Sequence, residues 1–165
     1  MVNLSPESSK LPNEKESIFT TMSHLAAKHN AIDLSQGFPN FQTDDLLKEL
    51  VYKAMKDGYN QYAPMGGVLG LREEIAKKIE NLYGRIYHPE TEITVTNGAT
   101  QAIYSAITAF VYKGDEVIVF KPAYDSYEPT IKLSGGIPIQ IELKGENFRI
   151  NWKEVEEKIN SRTRM

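Results

Sequence analysis

Residues 93–110 read Ile93-Thr94-Val95-Thr96-Asn97-Gly98-Ala99-Thr100-Gln101-Ala102-Ile103-Tyr104-Ser105-Ala106-Ile107-Thr108-Ala109-Phe110, and their order of residue types decides the fold class. Ile93–Thr96 is a short β-branched run of the kind that suits a pleated surface. Asn97-Gly98-Ala99 is turn chemistry. From Thr100 onward Ala102, Ile103, Ala106, Ile107 and Phe110 recur at helical spacing. The alternation then repeats. Gly114-Asp115 turns the chain into a second strand, Glu116–Phe120. A helix from about Tyr124 to Leu133 follows, then Gly135-Gly136 and a third strand, Ile137–Leu143. In that strand Ile137, Ile139, Ile141 and Leu143 share one face, and Pro138, which has no N–H to donate, marks a sheet edge. Trp152–Ile159 is a last helix, after which the alternation calls for another strand. Strands alternating with helices predict an α/β fold with a mostly parallel sheet and flanking helices.

Upstream of this stretch the periodicity is helical. Ile18, Phe19, Met22, Leu25 and Ala26 form a stripe over about Ser17–Lys28, and Ala31–Leu34 is a short apolar stretch leading into the turn-rich Ser35-Gln36-Gly37-Phe38-Pro39-Asn40. A second helix is capped by Thr43 and stopped by Gly58, with Leu46, Leu47, Leu50, Val51, Ala54 and Met55 expected to be buried. A third, about Val68–Tyr83, is expected to bury Val68, Leu71, Ile75, Ile79 and Leu82 and to close at Gly84. Residues 1–16 are polar, contain Pro6 and Pro12, and read as an arm.

Composition narrows the function classes. With 165 residues, 41% hydrophobic and 25% charged, the chain has the make-up of one globular domain or part of a larger one. Its 19 basic and 22 acidic side chains leave a net charge of −3, which offers no general attraction to nucleic-acid phosphates. No apolar run approaches the roughly 20 residues of a membrane helix, and the N-terminus has no apolar signal core. The expectation is a cytoplasmic protein that binds neither nucleic acid nor membrane. Zero cysteines exclude disulfides, thiolate metal sites and Cys nucleophiles, and His24, His29 and His88 do not cluster at metal-ligand spacing.

Four segments are candidates for chemistry. Thr96–Gln101 joins a strand to a helix N-terminus, where unpaired N–H groups and the helix dipole attract an anion. A phosphate suits it, although the hexapeptide equally fits an ordinary β–α turn and matches no nucleotide fingerprint. Lys121-Pro122-Ala123-Tyr124-Asp125-Ser126-Tyr127 lies at the carboxyl end of a strand, where ligands of open α/β sheets bind, so Tyr124 is placed either to stack on a flat ring or to pack at the rim. Tyr59–Gly67 is unusually aromatic for a linker: a functional loop, or tyrosines covering apolar surface. Gln36-Gly37-Phe38-Pro39 offers a Gly N–H to a carboxylate, but is too short to decide alone.

Together the series Leu34-Ser35-Gln36-Gly37-Phe38-Pro39, Asn60-Gln61-Tyr62, Gly70-Leu71-Arg72, Thr96-Asn97-Gly98-Ala99-Thr100 and Pro122-Ala123-Tyr124-Asp125-Ser126-Tyr127 resembles the N-terminal half of the fold-type I, class I/II pyridoxal-phosphate (PLP) aminotransferases, most nearly the methionine and kynurenine branch. The resemblance implies that the backbone of Gly98, Ala99 and Thr100 holds the phosphate of pyridoxal 5′-phosphate and that Tyr124 stacks on its ring. It implies that Tyr62 reaches the phosphate of a neighbouring subunit's cofactor across a homodimer, and that Gly37 contacts the amino-acid substrate near its carboxylate. Residues 1–42 would be an arm and small-domain or dimer-contact segment, and 43–165 the first portion of the PLP-binding large domain. The reaction implied is transfer of an amino group from methionine, an aromatic amino acid or kynurenine to a 2-oxo acid. A carbon–sulfur lyase shares the fold, cofactor and lysine, and a non-catalytic dimerisation fragment is the reading from another class. An unrelated nucleotide-binding domain would bind phosphate without the Tyr62 and Tyr124 pair.

In the family the Schiff-base lysine, the Asp that faces the pyridine nitrogen and the Arg that grips the substrate carboxylate lie further along. None of Lys113, Lys121, Lys132 or Lys144 stands in the family's Ser-x-Ser-Lys context. No catalytic residue is therefore assigned in this chain, and the 165 residues alone are expected to be inactive and to leave apolar faces and ladder edges uncovered.

Overall fold

The computed structural model describes residues 10–11, 16–37 and 39–165. Pro6, Pro12 and most of the arm, and Phe38 of the turn-rich loop, lie outside the described residues. Among the described residues the elements are α1 (Ile18–Lys28), α2 (Asp45–Lys56), α3 (Leu69–Tyr83), α4 (Gly98–Phe110), β1 (Glu116–Lys121), α5 (Tyr127–Leu133), β2 (Ile137–Glu142) and α6 (Trp152–Lys158). The chain divides into two compact units, residues 1–21 with 97–165, and residues 22–96.

The first unit holds the sheet. β1 and β2 run parallel, in register from Glu116 opposite Ile137 to Lys121 opposite Glu142, with α5 as the crossover. Ile137 and Leu143 donate their N–H groups to Asp115 and Lys121. The ring nitrogen of Pro138 therefore points away from β1, as its edge position requires. On the other side of β1, residues 162–165 pair with it through main-chain hydrogen bonds. Glu116 N donates to Arg162 O at 2.8 Å, Arg164 N to Glu116 O at 2.8 Å and Ile118 N to Met165 O at 2.9 Å, a parallel bridge centred on Thr163. Ile107 and Val111 from α4 and its end, Val117 and Val119 from β1, and Ile131 from α5 make the core. α6 packs against β2, and its Val155 is buried.

Several boundaries differ from the sequence expectation, and α4, expected from Thr100, already begins at Gly98. α5 begins at Tyr127 rather than Tyr124, because Tyr124–Tyr127 closes a turn (Tyr127 N to Tyr124 O, 3.2 Å) and Pro129, with no N–H, defers the helical ladder to Thr130. Asp44, not Thr43, caps α2, its carboxylate accepting from Leu46 N at 2.9 Å.

The second unit contains α2, α3 and the second half of α1. Ile93–Thr96 forms no strand among the described residues. Its recorded main-chain bond runs from Val95 N to Gly66 O at 3.0 Å. A β-branched run becomes a ladder only where another strand lies beside it, and none does. The helices form as predicted, and Gly84 ends α3 with φ 65°. Their apolar stripes are only partly covered, however, with Ile75 and Ile79 of α3 half-buried. Leu46, Leu47, Leu50, Val51 and Met55 of α2, with Leu71 and Leu82 of α3, are exposed. Amphipathic periodicity identifies the face that wants cover, not whether the cover lies within the same chain.

Candidate functional site

The N-terminus of α4 is built by Asn97 and Gly98. Gly98 has φ +80°, a conformation that L side chains rarely adopt, and a Cβ there would meet nothing within 4 Å. Asn97 makes no side-chain cap. Its own N–H is taken by Gln101 Oε1, which turns the Gln101 side chain back along the first turn. Gly98, Ala99 and Thr100 are the first three residues of α4, at the positive end of its helix dipole.

Tyr124 is brought to this helix start. Its hydroxyl lies 3.2 Å from Thr100 Oγ1, and its ring meets Tyr127 edge-on, centroids 6.0 Å apart and planes at 75°. Asp125, the next residue, accepts from the Ser17 hydroxyl at 2.7 Å, while Ser17 Oγ accepts from Phe19 N at the start of α1. The start of α4, the Thr100 hydroxyl and the Tyr124 side chain therefore lie together within one unit. Of the lysines weighed for covalent work, Lys121 pairs with Glu128 at 2.5 Å and Lys144 with Glu142 at 3.9 Å.

Gly37 and Tyr62 belong to the other unit. Tyr62 is 103% exposed, on a loop whose far end is firmly seated. Gly67 N donates to Pro64 O at 2.8 Å, and Gly66 O accepts from Val95. Gly67 has φ +94°, and a Cβ there would stand 2.7 Å from Val95 Cβ and Cγ2. Arg72 donates through Nη1 to the carbonyls of Pro89 and Glu90 at 3.0 and 3.2 Å.

Gly37 is exposed, and the residues before it form a cluster that sequence reading missed. Asp33 Oδ2 accepts from the Ser23 hydroxyl at 2.7 Å, and Oδ1 accepts from Ser35 N and Ser35 Oγ at 2.9 and 2.6 Å. Gln36 Nε2 donates to Ser23 Oγ at 3.1 Å. The Ser35 hydroxyl, then the Ser23 hydroxyl and the Ser35 N–H, hold the Asp33 carboxyl below its ordinary value. Asp-x-Ser at a chain reversal is a known local hydrogen-bonding pattern and was the available signal.

A family model described as aminotransferase class I and II matches residues 29–165. The methionine aminotransferase of Escherichia coli is 52% identical over 157 residues, which is 95% of this chain and 41% of that protein. The aspartate aminotransferase of Geobacillus stearothermophilus is 37% identical over 140 residues, 84% of this chain and 35% of that protein. Among solved structures, an Escherichia coli protein whose crystal structure and reactivity identify a methionine aminotransferase function superposes with a TM-score of 0.91. It is 52% identical and covers 95% of this chain, which spans 41% of that one.

Proposed function

Because the chain belongs to the class I and II aminotransferase family, we propose that the protein carrying it transfers an amino group from an amino acid to a 2-oxo acid with pyridoxal 5′-phosphate. Enzymes of this family depend on that cofactor. When bound, it supplies an electron-accepting ring for chemistry at the substrate's α-carbon. The chain's own residues would bind and orient. The N–H groups of Gly98, Ala99 and Thr100 would hold the phosphate, Tyr124 would lie on the pyridine ring, and Gly37 would meet the substrate near its carboxylate. The observation that carries the reading is the 3.2 Å approach of Tyr124 to Thr100 at the start of α4, in a chain matched by the family over residues 29–165.

Methionine is the proposed amino donor, ahead of aromatic amino acids and kynurenine, on the 52% identity with the methionine enzyme. A homodimer in the cytoplasm is the proposed state. The exposure of Tyr62 supports its reaching a neighbouring subunit's cofactor, and no helix among the described residues is long and apolar enough to cross a membrane. Residues 1–42 are proposed as arm and dimer-contact or small-domain segment, and 43–165 as the first part of the large domain. The 165 residues by themselves are proposed not to transaminate, since no lysine in them is assigned to the chemistry.

The test is consumption of methionine by the full-length protein with and without a 2-oxo acid. Strict dependence on the oxo acid is expected. Thiol release without it would establish the lyase instead. Tyr124→Ala and Thr100→Ala should each weaken cofactor binding about tenfold or more, read by equilibrium titration of cofactor absorbance. Unchanged affinity in both removes the proposed cradle. Borohydride fixation of cofactor to any lysine of the 165-residue chain would refute its inactivity.

A further inference from the structure

Residues 31–37 run past α1 with an inverted pattern of burial. Ile32 and Leu34 are 84% and 88% exposed, whereas the polar Asp33, Ser35 and Gln36 between and after them are half-buried. Apolar packing therefore does not hold this segment in place. What holds it is the Asp33 carboxylate, which takes Ser23 of α1 on one oxygen and both the N–H and hydroxyl of Ser35 on the other. Gln36 returns to the same Ser23 hydroxyl. Three of the four residues before Gly37 are thereby tied to one point on α1, and a Cβ added at Gly37 would meet nothing within 4 Å among the described residues. Hydrogen bonds to an ionised acceptor are about twice as strong as neutral ones, so a carboxylate is the effective hub for such a tether.

We propose that Asp33 is a positioning residue that fixes the Gly37 backbone for recognition of the substrate carboxylate, acting through Ser23, Ser35 and Gln36 without touching substrate. This inference rests on the reading that Gly37 meets that carboxylate. A loop contact of this kind depends on the shell that orients it, and loss of the hub frees the loop while leaving the cradle at Gly98–Thr100 untouched.

The experiment uses the full-length holoenzyme and two donors of the same side chain, methionine and its decarboxylated amine, in single-turnover reactions. In Asp33→Ala the apparent affinity for methionine should fall about tenfold, with the rate at saturation held within about twofold. Reaction with the amine, which has no carboxylate to recognise, should be unchanged. Asp33→Asn keeps an oxygen for Ser35 and should lose less than the alanine variant. Ser23→Ala, which cuts the tether at α1, should shift the same ratio in the same direction if Asp33→Ala proves unstable. Hydrogen exchange at the Ser35 amide should accelerate in Asp33→Ala. Equal losses with both donors would show a merely structural role and overturn the proposal, as would unchanged methionine affinity. A wild-type protein that transfers no amino group would overturn the functional reading first, and this inference with it; a competent wild type with an unaffected variant overturns this inference alone.

Discussion

Gly67 and Asp33 hold backbone in place by opposite means. Gly67 does so by having no side chain. At φ +94°, with Val95 Cβ and Cγ2 only 2.7 Å from where a Cβ would stand, it lets the loop carrying Tyr62 press against the 93–96 segment. Gly67→Ala should destabilise by about 2 kcal/mol or more, combining the left-handed penalty with overpacking. Val95→Ala in the same chain should recover part of that loss, which a double-mutant cycle by denaturant titration would measure. Asp33 instead supplies a charge that several donors share. Tyr124 occupies a middle case: its hydroxyl meets Thr100, while its orientation depends on the turn through Asp125 and Ser126 that sets where α5 begins.

The helices divide by what covers them. α4 and α5 bury Ile107 and Ile131 against β1, whereas α2, equally well patterned and well capped, leaves Leu50 53% exposed. The energetic consequence is direct. In the 165-residue chain Ile131→Ala should cost about 2–5 kcal/mol, while Leu50→Ala should stay within about 0.5 kcal/mol, compared by denaturant midpoints at constant slope. A large cost at Leu50 would mean that the α2 stripe is covered in solution, a second copy of the chain being the first candidate, and dilution would then lower the midpoint. β2 needs no such cover along its outer edge, because Pro138 removes a donor there and Gln140 and Glu142 add polarity.

Across the chain as a unit of stability, the acid side of the pH profile is set near β1. Glu116 is 4% exposed and accepts from Asn160 Nδ2 and Arg162 Nε, each at 2.7 Å. Asn160 first and Arg162 second hold its carboxyl below the ordinary value of 4.5. The Tyr112 N–H and then Arg164 do the same for Asp115, ordinarily at 3.8. Depressed folded-state values mean that the unfolded chain binds the proton more readily. The stabilisation is therefore complete above the unfolded values and lost as pH falls through the folded ones. Melting temperature should be flat with respect to these groups above about pH 5.5 and fall progressively below about pH 4.5. Glu116→Gln should lower the neutral-pH melting temperature and flatten that acid slope. The same contacts fasten Arg162–Met165 to β1, so the variant should also speed amide exchange at Ile118.

The helices, the α/β class, the turn into α4 near Gly98 and the family itself were legible in the sequence. Each rests on short-range physics: apolar period, β-branched runs, turn residues, and motifs a few residues long. Tertiary placement was needed for everything that depends on a second segment. Ile93–Thr96 has the composition of a strand but no neighbour to make it one, and the α2 stripe has the period of a buried face but no surface over it. Asp33 stands within the short stretch Ala31–Leu34, and its partner Ser23, ten residues away in the chain, lies beside it at 2.7 Å. Thr100 and Tyr124, 24 residues apart, meet only because β1 and the turn after it carry the tyrosine back to the start of α4. Local patterns are set by neighbours along the chain, whereas burial, ladders and convergent hydrogen bonds are set by whatever the fold brings alongside.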